Sequence, residues 1–211
     1  MPSKLKTKDP MGTYHIAQHP ELYSPSRSNN FVFMPIFNDT LIALGVKAES
    51  ANKYQKYSAN KAQEVLMLSV NQAQVPNFTQ NVIEVKRGNG TIKFAGAYTY
   101  QAGNFKFNDY VGADTKGILQ AWRGLAAPVE DESVGRAEDY KIQAKLLEYT
   151  PDHRLIRYWD MYGVWISDLQ EGDFSSDDDG KREITAVIEY DRAFPHLPDD
   201  LEEVDFTSAN S

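Results

Sequence analysis

Three strand-like runs follow one another between residues 135 and 190, and they limit the fold more than any other part of the chain. Tyr140, Ile142, Ala144 and Leu146 fall on one side of the first run, with Lys141, Gln143 and Lys145 opposite. In the second, Leu155, Trp159 and Met161 alternate with Ile156, Tyr158 and Tyr162. In the third, Ile184, Ala186, Ile188 and Tyr190 alternate with Glu183, Thr185 and Glu189. A period of two, rich in β-branched and aromatic residues, predicts antiparallel strands with one buried face. No catalytic constellation sits on any of them.

The rest of the chain fits around this block. Residues 30–37, 64–70 and 104–111 read as further strands. Residues 82–87 and 91–95 flank Gly88-Asn89-Gly90, a turn that tolerates positive φ and predicts a hairpin. Asp114 is placed to cap a helix whose stripe is Ile118, Leu119, Trp122, Leu125 and Ala126, and Pro128 ends it. Ile118, Leu119, Trp122 and Leu125 are expected to form the helix–sheet core, with Trp122 as a plug. Residues 50–63 are polar and read as helix or loop. The fold class is therefore mainly β: an antiparallel β-sandwich or barrel with one flanking α-helix at about 114–126. The domain spans 30–195, with an insertion at about 39–63 and the hairpin at about 80–96. An N-terminal arm, 1–29, is broken by Pro2, Pro10, Pro20 and Pro25, and an acidic tail occupies 196–211.

Several function classes are excluded by what the chain lacks. It has no cysteine, so disulfides, thiol catalysis and thiolate metal sites are all ruled out. The net charge of −8 argues against a phosphate-backbone binder, which needs clustered Lys and Arg. No apolar run is long enough to span a membrane and no signal pattern opens the chain, so a soluble protein outside the general secretory route is expected. Phosphate loops, dinucleotide fingerprints and nucleophile elbows are missing. Asp177-Asp178-Asp179-Gly180 invites a calcium reading, but the surrounding loop lacks carboxylates at the terminal ligand positions of an EF-hand. His15 and His19 have helical ligand spacing, yet Pro20 follows at once and no acidic partner completes a motif. The expectation is a non-enzyme with no cofactor and no metal.

The order of elements resembles the tail tube proteins of contractile-tailed bacteriophages, the T4-like family and related phage-derived tubes. The resemblance covers about 28–195 and is carried by SNNFVFMPI, LMLSVNQAQVP, NVIEVKRGNGTIKFAG, ILQAWRGLAAP, GRAEDYKIQAKLLEY, DHRLIRYWDMYGVWISDL and REITAVIEYDRAF, in that order. It implies a virion structural protein, assembled in the host cytoplasm, whose hexameric rings stack into a hollow conduit for DNA. DNA would pass without specific binding, and the partners would be other copies, the tail sheath, and baseplate or terminator proteins. It also makes Arg87, Gly88, Asn89, Gly90 and Thr91 candidates for inter-ring contact. Lys141, Gln143, Glu183, Thr185 and Glu189 become candidates for a lumen or solvent face. The longer N-terminal arm, the 39–63 insertion and the acidic tail depart from the family pattern, leaving a main-tube or an end-layer subunit open. The alternatives are a tube-like baseplate or tail-completion subunit, an injection-system tube, or a monomeric β-sandwich binding module. The last would use Tyr98, Tyr100, Phe105 and Phe107, which are more economically read as core and inter-strand packing.

Overall fold

The computed structural model describes residues 27–37, 59–110, 114–128, 133–172 and 180–197. The N-terminal arm to residue 26, most of the 39–63 insertion, the 173–179 acidic turn and the tail from 198 lie outside the described residues. So do both candidate ligand histidines, His15 and His19.

The period-two block forms the centre of one antiparallel sheet. Its strands are β6 (Ile142–Tyr149), β7 (Leu155–Gln170) and β8 (Glu183–Glu189), and they lie side by side. Outside them run β1 (Phe31–Ile36) on β6, and β5 (Gly103–Asn108) followed by β2 (Val70–Ala73) on β8. A short β9 (Arg192–His196) pairs with the first half of β7. The alternation is observed as expected on β8, where Ile184, Ala186 and Ile188 are buried; on β6 Ile142, Ala144 and Leu146 are buried, but Leu147 there and Tyr158 on β7 are buried too, in a second cluster with Met34, so these strands do not have a single buried face. The fold is mainly β and antiparallel. The sheet stays open, since among the described residues β1 and β2 end it without pairing.

β7 explains why one sheet can enclose a core. Leu155 to Val164 pair with β6, while Trp165 to Gln170 pair with β8, so the strand changes neighbours midway. Gly163 sits at that change with φ +66°, and a Cβ there would run into the Asp191 carboxylate. Asp191 donates its backbone N–H to Tyr162 O at 2.9 Å, and its carboxylate accepts from Lys141 Nζ at 2.8 Å. The sheet folds over at this corner, and Phe33 of β1 meets Phe105 and Phe107 of β5 at 4.7 and 6.4 Å between ring centroids.

Two helices close the open side of the core. The expected one, α2 (Thr115–Ala126), begins where the Asp114 carboxylate accepts from Gly117 N at 2.9 Å, a side-chain N-cap. It buries Ile118, Leu119 and Trp122 and packs Leu125 partly against them. Trp122 is the expected plug: its ring is edge-on to Phe37 at 5.3 Å, and its N–H donates to Tyr140 O at 3.0 Å. The first turn of α2 is pinned to the end of β7, because Glu171 accepts from both Lys116 and Gln120. These bonds hold the Glu171 carboxyl below its ordinary range.

A second helix, α1 (Ala59–Ser69), corrects the strand expected at 64–70. Ala59, Ala62, Val65, Leu66 and Ser69 are its buried positions, a spacing of three and four that only a helix presents to one neighbour. The run EVLMLS is too short for period alone to separate helix from strand, and Ala, Gln, Glu and Leu favour helix. A four-residue helical turn, α3 (Ala137–Tyr140), precedes β6 and takes Tyr140 out of the strand run in which it was expected.

Gly163→Ala should destabilise the fold by about 1–2 kcal/mol, the cost of a left-handed backbone at a residue with a Cβ. Chemical denaturation read by tryptophan fluorescence checks this. An unchanged midpoint would mean the corner can relax.

Candidate assembly surfaces

The hairpin expected at 80–96 is longer and stands apart from the sheet. Among the described residues β3 (Phe78–Arg87) and β4 (Gly90–Tyr100) pair only with each other, and every residue of β3 is exposed. Ten residues of strand reach roughly 34 Å at the usual rise. Arg87 pairs with Gly90, so Gly88 and Asn89 form the two-residue turn. Only Gly88 of these two has positive φ, at +58°, the pattern of a type II′ turn. The expected tip residues Arg87, Gly88, Asn89, Gly90 and Thr91 are thus the far end of this ribbon.

The distal half of the ribbon has two unlike faces. Ile83 lies opposite Phe94 and Val85 opposite Ile92, and directly opposed residues share a face. All four are 40–54% exposed, a contiguous apolar patch that no other described element covers. The reverse face carries the Glu84–Lys93 pair at 3.4 Å, with Lys86 opposite Thr91. Nearer the body, a bulge between Gln80 and Val82 shifts the register, and Phe78, Tyr98 and Tyr100 form a three-ring cluster. Of the four aromatics expected in core and inter-strand packing, Phe105 and Phe107 are fully buried in the core, while Tyr98, 58% exposed, packs across the strands on Phe78.

Tyr190 roots the ribbon. Its hydroxyl accepts from Asn77 N at 3.1 Å and donates to Asn77 O at 3.3 Å, while its ring lies 5.7 Å from that of Tyr100. Burial pushes the Tyr190 phenol up. The Tyr100 hydroxyl donates to Ala193 O at 3.2 Å, on the outer edge of β9.

A second surface is the outer face of the distal half of β7 together with β8, β5 and β2. In-register pairing puts Asp168, Glu183, Thr185 and Glu189 on this face with Asn104 and Lys106. Glu183 is its hub, accepting from Asn71 at 2.8 Å and Lys181 at 2.9 Å, with Lys106 4.0 Å away. The Lys181 bond, more than any other contact, holds its carboxyl below the ordinary range. Among the described residues both sides of this four-stranded half are unpaired: β2 pairs with β5 alone, and β7 beyond Val164 with β8 alone. Of the five candidate face residues, Glu183, Thr185 and Glu189 come together here. Lys141 is bound to Asp191 at the corner, and Gln143 is exposed on the outer face of the other half-sheet.

Among the described residues no three His, Asp or Glu side chains gather to hold a metal, and no helix is long and apolar enough to cross a membrane.

Because Glu183 is more acidic folded than unfolded, its contacts contribute stability above the ordinary glutamate pKa, and that contribution is lost as pH falls through the depressed value. Glu183→Gln should therefore flatten the fall in Tm between about pH 5 and 3 relative to the wild type. Parallel curves for the two proteins would refute the role of this pair.

No family model matches the sequence, and no curated protein does. Solved structures do. The chain is similar to one in the baseplate of the anti-feeding prophage, at 10% identity and TM-score 0.56 over 82% of this chain and 96% of that one. It is similar to one in the sheath–tube complex of PVC, an extracellular contractile injection system, at 13% identity and TM-score 0.52 over 88% and 97% of the two chains. A chain of the PVC sheath/tube terminator matches at 13% identity and TM-score 0.52 over 82% and 97%. At these identities the likeness is one of fold, and the fold is that found in the tube, baseplate and terminator layers of contractile injection systems.

Proposed function

We propose that this chain is the structural subunit of a hollow tail tube, closing into six-membered rings that stack inside a contractile sheath. The observation that carries this reading is the four-stranded half-sheet, with free edges at β2 and distal β7 and a polar outer face between them. An edge strand is a template for another chain. Joining β2 of one copy to distal β7 of the next is a heterologous contact, and repeating it gives a ring when the rotation closes. All such edges then vanish into one continuous barrel. The lumen is lined by the face that carries Asp168, Glu183, Thr185 and Glu189. Lys141 and Gln143 face solvent or the outer layer. A lining with more carboxylates than ammonium groups lets DNA slide without adhering, consistent with the net charge of −8.

The ribbon supplies the contact between rings. Two-stranded ribbons are marginal alone, and this one exposes an apolar patch that no other described element covers and that a neighbouring copy would bury. The second reading is the tube or an end layer of an injection system, favoured by the fold likeness to the prophage and PVC structures. In either setting the chain acts by assembly, with sheath and baseplate or terminator proteins as partners.

Negative-stain microscopy of the purified protein should show rings or hollow tubes. A monodisperse monomer at high concentration, unchanged by added baseplate, would sink the reading. Deleting residues 87–91 should leave the folded ring and suppress tube growth; normal tubes from that deletion would remove the ribbon from the inter-ring contact.

A further inference from the structure

The half-sheet of β1, β6, the first part of β7 and β9 carries a second buried cluster on its outer face. Phe33 and Leu146 point into the main core, so the pleat sends their neighbours Met34 and Leu147 the other way. Val32, Leu147, Tyr158 and His196 lie opposite one another across the four strands and share that outer face. Yet Leu147 is 1% exposed and Met34 5%. Strand neighbours flank such side chains without roofing them. The Tyr158 ring is covered by His196, stacked on it at 4.7 Å, and by Lys145 Nζ at 5.4 Å. Among the described apolar residues only Met67 of α1 packs on the cluster from outside the sheet.

The acidic tail starts beside this cluster. β9 ends at His196, and Leu197 beyond it is 62% exposed. Leu147 lies two strands away, roughly 10 Å, a gap that residues 198–201 span when extended. The tail sets Leu201, Val204 and Phe206 among Asp199, Asp200, Glu202, Glu203 and Asp205, with no basic residue. The outer face has the opposite balance: Lys145, Arg192 and His196 against Asp160, the only carboxylate on it among the described residues. It also offers apolar surface, since Tyr162 and Phe194, edge-on at 5.8 Å, are 40% and 44% exposed. The N-terminal arm joins the same end of the sheet at Asn30, whose O accepts from Tyr149 N at 2.9 Å. Its first ten residues carry Lys4, Lys6 and Lys8 against Asp9, the same sign as the face.

We infer that the acidic tail, residues 198–211, docks on this outer face of its own copy. Leu201, Val204 and Phe206 supply the cover for Leu147 and the Phe194 patch, and the carboxylates between them lie beside Lys145, Arg192 and His196. The same carboxylates steer the tail away from the face that carries Asp168, Glu183 and Glu189, where like charges meet. The contact lies on the half-sheet away from β2 and distal β7, so it does not rest on the tube reading.

Two methionines give the test its gauge: Met34 in the outer cluster and Met161, 1% exposed, in the main core. Hydroxyl-radical footprinting of the dilute full chain, read by mass spectrometry, measures the oxidation of each. Removing residues 198–211 should raise Met34 oxidation several-fold and leave Met161 unchanged, whereas removing residues 1–26 should leave both protected. Met34 exposed by the second deletion instead would make the N-terminal arm the cover and overturn the inference. Protection that survives both deletions would assign the cover to residues 38–58 and overturn it equally. Protection that disappears on dilution of the intact protein would place the occupant on a second copy, against the same-copy assignment. Should the shortened protein oxidise at Met161 as well, a full-length variant decides: Asp199→Asn, Asp200→Asn, Glu202→Gln, Glu203→Gln and Asp205→Asn together should raise Met34 oxidation alone. No change at Met34 in that variant would defeat the docking.

Discussion

A sixteen-residue strand kept in one flat layer would present a single long sheet with no way to bury both ends of its apolar face. β7 avoids this by changing partners at Gly163, where Asp191 fills the space a side chain would need and Lys141 fixes Asp191. The corner lets Phe33 at one end of the sheet reach Phe105 and Phe107 near the other. Nearly all of the remaining architecture depends on that meeting. α1 and α2 have a core to cover only because the two halves face each other, and Tyr190, one residue before Asp191, can root the ribbon only because the strand ends there.

The free edges of the two halves are treated differently. β1 and β9, at the margins of the first half, carry Pro35 and Pro195, and a residue without an N–H discourages strand addition. The outer edge of β9 is further occupied by the Tyr100 hydroxyl on Ala193 O. β2 and distal β7, at the margins of the second half, have no proline at all. Protection where pairing would be harmful, and its absence on either side of the polar face, is the pattern expected of a sheet that continues into neighbours on one layer only.

The parts of this design that read directly from the sequence are those where one face is buried and the other wet. The runs at 142–146 and 184–188 met that condition, and so did the helix stripe from Ile118 to Leu125. α1 did not: its apolar residues are split between a core-facing set and Met67 and Leu68, so the local run EVLMLS looks like a strand. The exposure of Tyr98 was hidden for the opposite reason. Aromatic residues on alternating strands ordinarily signal a core, and nothing in the local sequence tells a ribbon packed on its own body from one that leaves it. The edges of the polar half-sheet were equally invisible, since they follow from the corner at Gly163 and not from any local pattern.

Charge and apolar contact act over different distances, and this separates the two modes of association in the proposed tube. Copies at −8 repel one another beyond contact, with a reach of about 8 Å at physiological salt. Strand addition at β2 and distal β7 is directional and short-ranged, so it succeeds only after copies have met in register. The ribbon holds the basic tip roughly 34 Å from its root, well outside that screening distance. In the proposed tube the ribbon would supply reach along the axis, and directional strand pairing would act around the ring, where geometry must close.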